Sequence, residues 1–216
     1  MKLNDLFRNS HGWLRTLIVI IALGSATEAW GQIQHVGVPD PMNFYEHQPS
    51  TTTCWAACDA MILKSQSIDV TAADIVTKSF GHFDPFESQG AGAELSMPAD
   101  QIDGTWTNSS EGTVNFTTHV RYGLLGSMTP PDVQALISSL SQNNPVVFAT
   151  CQHGRVCVGA DYFEPPFGPP AIVSLTFLDP DAAPGMELQT VSLNALFQMC
   201  LFEHGYLGMI TFDTSN

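Results

Sequence analysis

The stretch QPSTTTCWAACDAMILK, residues 48–64, decides how the rest of this chain is read. It sets a Cys directly before a Trp, with a Gln six residues upstream of the Cys. Its Ala, Met and Leu content favours a helix. The Thr run at 51–53 is expected to supply the N-cap, so that Cys54 opens the first turn. No polar face develops before Lys64, which predicts a mostly buried helix. A thiol is a useful nucleophile only as thiolate, and a free Cys with a pKa of ~8.5 is mostly protonated at neutral pH. A helix N-terminus and a nearby imidazolium both favour the anion. Cys54 has the first by position. The second must come from elsewhere in the chain.

The segment PVVFATCQHGRVCVGADYF, residues 145–163, reads as strand, and so does AIVSLTFLDP, residues 171–180. His153 follows the apolar part of the first and is the candidate base. Asp179 ends the second, where Pro180 stops the pairing. If the two strands are antiparallel neighbours, Asp179 approaches His153, fixes its tautomer and stabilises the imidazolium. Acyl transfer builds negative charge on a carbonyl oxygen, and two aimed donors stabilise it. The Cys54 N–H at the helix start is one, and the Gln48 side-chain amide is the candidate second. Each residue also has a plain structural reading: Cys54 as a half-cystine, His153 as a satisfied strand histidine, Asp179 as a strand terminator. Trp55 is expected in the core.

In a continuous strand, residues 151, 153, 155 and 157 share one face, which turns Cys151 toward the same cleft as His153. Cys54, Cys151, His153 and Asp179 then also suffice for a zinc site, although no close Cys-x-x-Cys or His pair supports one.

Residues 1–31 have the layout of a secretory signal. Lys2, Arg8 and Arg15 precede the uncharged run TLIVIIALGSA, and small residues follow. The run is shorter than the ~20 residues a bilayer span needs. Residues 32–216 are expected to form one domain. They keep four strong bases, Lys64, Lys78, Arg121 and Arg155, against 19 acids, a formal charge of −15. Such a surface repels phosphate backbones and acidic membranes, so neither nucleic acid nor membrane is an expected partner. The chain has five cysteines, Cys54, Cys58, Cys151, Cys157 and Cys200. In an oxidising compartment an odd count leaves at least one free thiol. One nucleophile with two disulfides fits, and so does one disulfide with three thiols. Cys54 and Cys58, one helical turn apart, are poorly placed to pair.

Residues 32–50 read as an extended lead-in broken by prolines, and a short helix is expected near 71–79. Residues 81–128 show weak periodicity and read as loops with some strand or helix inside. In TPPDVQALISSLSQNN, residues 129–144, Pro130 and Pro131 open a helix with Val133, Leu136, Ile137 and Leu140 on one face. A strand in MELQTVSL, a short helix near 194–199 and a strand in GYLGMITF close the chain. Helices first and strands later give an α+β expectation.

Together, Gln48, the Cys54-Trp-Ala-Ala run, His153 with Gly159 six residues later, and Asp179-Pro180 resemble the papain-like cysteine peptidases. The similar branch is the compact bacterial one related to double-glycine leader peptidases and papain-like effector proteases. The resemblance spans residues 36–210. It implies a helical half carrying Cys54, packed on a twisted antiparallel sheet carrying His153 and Asp179. It further implies Gln48, Cys54, His153 and Asp179 as oxyanion donor, nucleophile, base and orienter. The sequence departs from the pattern with STTT before the Cys and with HGRV after the His, where Arg155 replaces a small apolar residue. No exporter-type segments follow.

The expectation is an exported cysteine peptidase that needs no cofactor or metal and takes a peptide or protein substrate. A related amidase or acyltransferase acting on cell-wall peptides uses the same groups. So does the scaffold of a non-catalytic binding domain with Cys54 in a disulfide.

Overall fold

The computed structural model of the chain describes residues 31–83, 96–110, 112–124, 128–150, 153–202 and 206–215. Apart from its last position, the expected leader lies outside the described residues, as do Cys151 and His204.

The opening helix forms as its composition asks. Helix α1, Cys54–Ser65, is buried from Cys54 to Leu63. Its N-cap differs from expectation. Thr53 occupies the position, but its hydroxyl turns backward, donating to Ser50 O at 2.9 Å and accepting from Ser50 N at 3.1 Å. A local turn has captured the side chain that would otherwise bond the first helical N–H groups. No side chain caps α1. Helix α2, Ala72–Phe80, does have its cap: Thr71 accepts from Asp74 N while Asp74 accepts from Thr71 N.

Between them and the C-terminal strands lie α3, Ser96–Ile102, β2, Gly104–Thr107, and the twelve-residue β3, Thr113–Leu124. The weakly periodic segment thus contains a full sheet strand. Val114, Phe116 and Val120 alternate there with Thr113, Asn115, Thr117, His119 and Arg121, a strand signal that the sequence carried. Helix α4, Pro130–Ser141, begins at the predicted prolines, with Thr129 and Asp132 forming a capping box. The remaining elements are β4, Val146–Ala149, β5, Gly154–Phe163, β6, Ala171–Leu178, β7, Leu188–Ser192, α5, Leu193–Phe202, and β8, Tyr206–Ser215.

The fold is α+β, with one antiparallel sheet in the order β2-β3-β8-β4-β5-β6-β7. The lead-in contributes its own strand, β1, Ile33–Gly37, which pairs with β5 beyond the point where β4 ends. Helices cover both faces. One core joins α1, α2 and α3 to Val147, Val156, Val158 and Ile210. The other joins α4 and Leu196 of α5 to Phe148, Cys157, Leu175 and Phe177. Val156 and Cys157 point to opposite sides, as strand periodicity requires.

Two features set the position of the site. First, 145–163 is not one strand. The chain reverses between Ala149 and Gly154, and Thr150 closes the return by bonding His153 on both backbone groups. The continuous strand assumed for residues 145–163 is therefore interrupted, and the expected side of Cys151 lies outside the described residues. Second, Gly154 lets β5 approach α1 closely. A Cβ there would lie 3.3 Å from Cys58 Sγ and 3.9 Å from the Cys54 carbonyl.

Among the described residues Cys54, Cys58 and Cys157 are buried free thiols. Two disulfides need four cysteines, so that arrangement is excluded. Cys58 and Cys157 are enclosed in the two cores, where sulfur packs as a small apolar group. Burial pushes the Cys157 thiol up to about 12 and the Cys58 thiol well above its ordinary value.

Candidate active site

The four residues singled out in the sequence come from three places. Gln48 and Cys54 bracket the loop before α1, His153 precedes β5, and Asp179 follows β6. Strands β5 and β6 are antiparallel, with Val156 opposite Leu178, and that register brings the start of one to the end of the other. His153 Nε2 and Asp179 Oδ1 are 2.7 Å apart, both side chains being largely enclosed. The Cys54 thiol lies near enough to the ring to help raise the His153 pKa. Acid, imidazole and thiol are thus neighbours.

Cys54 lies at the first position of α1, where the backbone N–H groups of the opening turn have no intrahelical acceptor. With Thr53 turned away, no hydroxyl competes for them. The partial positive charge of the helix end falls on the sulfur and on any oxygen brought beside it.

Electrostatics follow from this packing. Burial alone would lower the His153 pKa. The hydrogen bonds to Asp179 and Cys54 raise it, the Arg155 charge opposes them and the Asp179 charge reinforces them, and the ring is pushed up to about 9. For Asp179, burial alone would raise the pKa. The hydrogen bond and charge of His153, the Asp181 N–H and Arg155 together hold the carboxyl well below its usual range. Acid and base reinforce each other as an ion pair.

Three neighbours make contacts that the sequence reading did not foresee. Arg155, seen there only as a departure, donates from Nε to Asp179 Oδ2 at 3.0 Å. Its spacing from His153 was the available signal, since alternate residues leave a strand on the same side. An acid at the end of the adjacent strand can receive both. Tyr45 donates its hydroxyl to Asp179 O at 3.2 Å. Asp181 donates its backbone N–H to Asp179 Oδ1 at 3.0 Å. It also accepts from the Gln48 side-chain amide at 2.7 Å. Gln48 therefore does reach the site's loop, through the turn that follows Asp179.

A second His–Asp pair shows what the first has in addition. His35 Nδ1 contacts Asp161 Oδ1 at 2.8 Å, and Ser174 donates to Asp161 Oδ2 at 2.6 Å. There the hydroxyl bonds the acid rather than the imidazole, and the group lies open to solvent. Among the described residues, no nucleophile is hydrogen-bonded to that ring. At the described residues no group of three or more His, Cys, Asp and Glu is arranged to hold a metal, and no helix is long and apolar enough to cross a membrane.

No protein-family model and no curated protein matches the chain. Among solved structures, the ubiquitin-specific protease encoded by a murine cytomegalovirus tegument protein, in complex with a ubiquitin-based suicide substrate, aligns over 85% of this chain and 87% of its own. The identity is 11% and the TM-score 0.36. A likeness this distant assigns no role to any residue here.

Proposed function

We propose that this protein is a papain-like cysteine peptidase that hydrolyses peptide amide bonds. The observation that carries the reading is the 2.7 Å pair of His153 and Asp179 beside Cys54, whose thiol helps raise the His153 pKa and sits at an uncapped helix N-terminus. In this reading the Cys54 proton resides on His153, and the thiolate attacks the carbonyl carbon of the substrate. The carbonyl π electrons move to oxygen, where the Cys54 N–H and one Gln48 N–H receive the charge. His153 then protonates the leaving amine as the C–N bond breaks, leaving a thioester. Water, deprotonated by His153, attacks that thioester. The carboxylic acid product leaves and the thiol–imidazole pair is restored. Asp179 stays ionised throughout and holds the ring.

The leader at residues 1–31 supports export of the protein to a periplasm or the exterior, and the order of Gln, Cys-Trp, His and Asp-Pro supports the compact bacterial branch. An amidase or acyltransferase would use the same steps with a different acceptor. The free Cys54 thiol argues against a binding domain with that residue locked in a disulfide.

The test is labelling with a chloroacetamide probe, alongside hydrolysis of a fluorogenic peptide library. Cys54 is expected to label ahead of Cys58 and Cys157, and Cys54→Ala is expected to lose all turnover while its stability changes by only about 1 kcal/mol. Undiminished hydrolysis by Cys54→Ala would remove the assignment.

A further inference from the structure

The Asp179–Asp181 turn serves both ends of the site. Asp179 receives His153, and two residues later Asp181 receives Gln48. The Gln48 backbone is tied to the same turn, its N–H donating to Pro180 O at 3.0 Å. Gln48 is 4% exposed, and its Oε1 is buried without a hydrogen-bond partner. An amide left in that state costs about 1–3 kcal/mol. It is nevertheless fixed in one orientation, because rotating it by half a turn would set Oε1 against the Asp181 carboxylate.

We propose that Asp181 is the positioning residue for Gln48, selecting which end of the amide faces the substrate oxygen. The inference rests on the peptidase reading. An NH2 group has two donors. Asp181 takes one and thereby presents the other to the oxyanion. If the amide turned over, the substrate oxygen would meet Oε1, and a stabilising donor would become a repelling acceptor. The turn thus couples two functions within three residues. The Asp181 N–H orders the acid that holds the base, and the Asp181 side chain orders the donor that receives the oxyanion.

The experiment is steady-state kinetics on Asp181→Ala, Asp181→Asn, Gln48→Ala and the Gln48→Ala/Asp181→Ala double variant. Loss of an oxyanion donor lowers kcat by roughly 10²–10³, and that is expected for Gln48→Ala. Asp181→Ala should lower kcat at least tenfold with KM little changed. Asp181→Asn should recover most of it, because the Asn carbonyl still accepts from Gln48. The double variant should be no slower than Gln48→Ala alone. Full kcat in Asp181→Ala, or losses that multiply in the double variant, would overturn the proposal. A second readout is independent of turnover. In the Cys54→Ala protein the NMR signals of the two Gln48 Nε2 protons should be separated by more than those of a free amide, and that separation should fall toward the free-amide value on adding Asp181→Ala. Unchanged signals would also overturn it. An active protein with an unaffected Asp181→Ala variant refutes the positioning role alone, whereas a fully active Cys54→Ala refutes the peptidase reading.

Discussion

Arg155 and His153 divide the Asp179 carboxylate between them, the guanidinium Nε on Oδ2 at 3.0 Å and the imidazole Nε2 on Oδ1 at 2.7 Å. The arginine clamps the acid and also opposes the charge on the ring, since it lowers the His153 pKa. Arg155→Met should therefore move the alkaline limb of kcat/KM to higher pH while kcat falls roughly ten- to a hundredfold from lost alignment. Arg155→Lys keeps the charge but not the planar fork. Its limb should stay in place while kcat still falls. A pH–rate profile of both variants checks this, and a downward move in Arg155→Met would refute it.

Asp179→Asn should shift the same limb the other way. The His153 ring is raised from 6.5 to about 9, so the imidazolium should persist across neutral pH and be lost near pH 9. An Asn still accepts the Nε2–H but supplies no charge, so the limb should fall toward the ordinary His value of ~6.5. The loss in rate should be smaller than for His153→Ala, which removes a proton carrier worth about 10²–10⁴. The stability linkage has matching signs. Stability from the raised His153 pKa is fully present below 6.5 and is lost as pH rises through about 9. Stability from the depressed Asp179 pKa is present above 3.8 and is lost as pH falls below it. Melting temperatures of the wild type between pH 3 and pH 10 should decline at both ends, and less steeply in the Asn variant.

Gly154→Ala should destabilise the protein by about 1–3 kcal/mol, because the new methyl would lie 3.3 Å from Cys58 Sγ and force β5 from α1. Adding Cys58→Ala should recover part of the loss, since the other neighbours, at 3.9 Å, are in ordinary contact. Chemical denaturation of the single and double variants would decide it. If the double variant were no more stable than Gly154→Ala, the contact would not be the cause.

Asp59 offers a test in the core itself. It is fully buried on α1 with neither carboxylate oxygen hydrogen-bonded, and burial raises its pKa well above 3.8, with Lys78 opposing only in part. An acid kept neutral in the fold but free to ionise when unfolded lowers stability as pH rises above 3.8. Asp59→Asn should raise the stability at pH 7 by about 1 kcal/mol or more. The gain should vanish below pH 4. An equal gain at both pH values would show that ionisation is not responsible.

How much of this was legible in the sequence depended on whether the signal was local. The extent of α1, the place of α2 and the Pro-opened α4 follow from side chains within a turn of one another. The approach of Asp179 to His153 was legible too, because two consecutive apolar strands make an antiparallel pair by default. What escaped depended on partners distant in the chain or on competition among nearby ones. Thr53 has two acceptable bonds, and only the folded turn shows that Ser50 wins. The reversal between Ala149 and Gly154 was hidden by the apolar residues on either side. Asp181 and Arg155 were visible as charges, but their partners lie 133 and 24 residues away.

Those separations have a consequence for timing. Cys54 is made early, while the contacts that would activate it span the chain as far as Asp181. Pairings between distant segments form slowly, after the intervening chain has closed. A polypeptide still being synthesised thus carries the Cys54 sulfur before His153 and Asp179 exist beside it. In the proposed peptidase, chain order alone would withhold the reactivity of the thiol until the last third of the domain docks on the first.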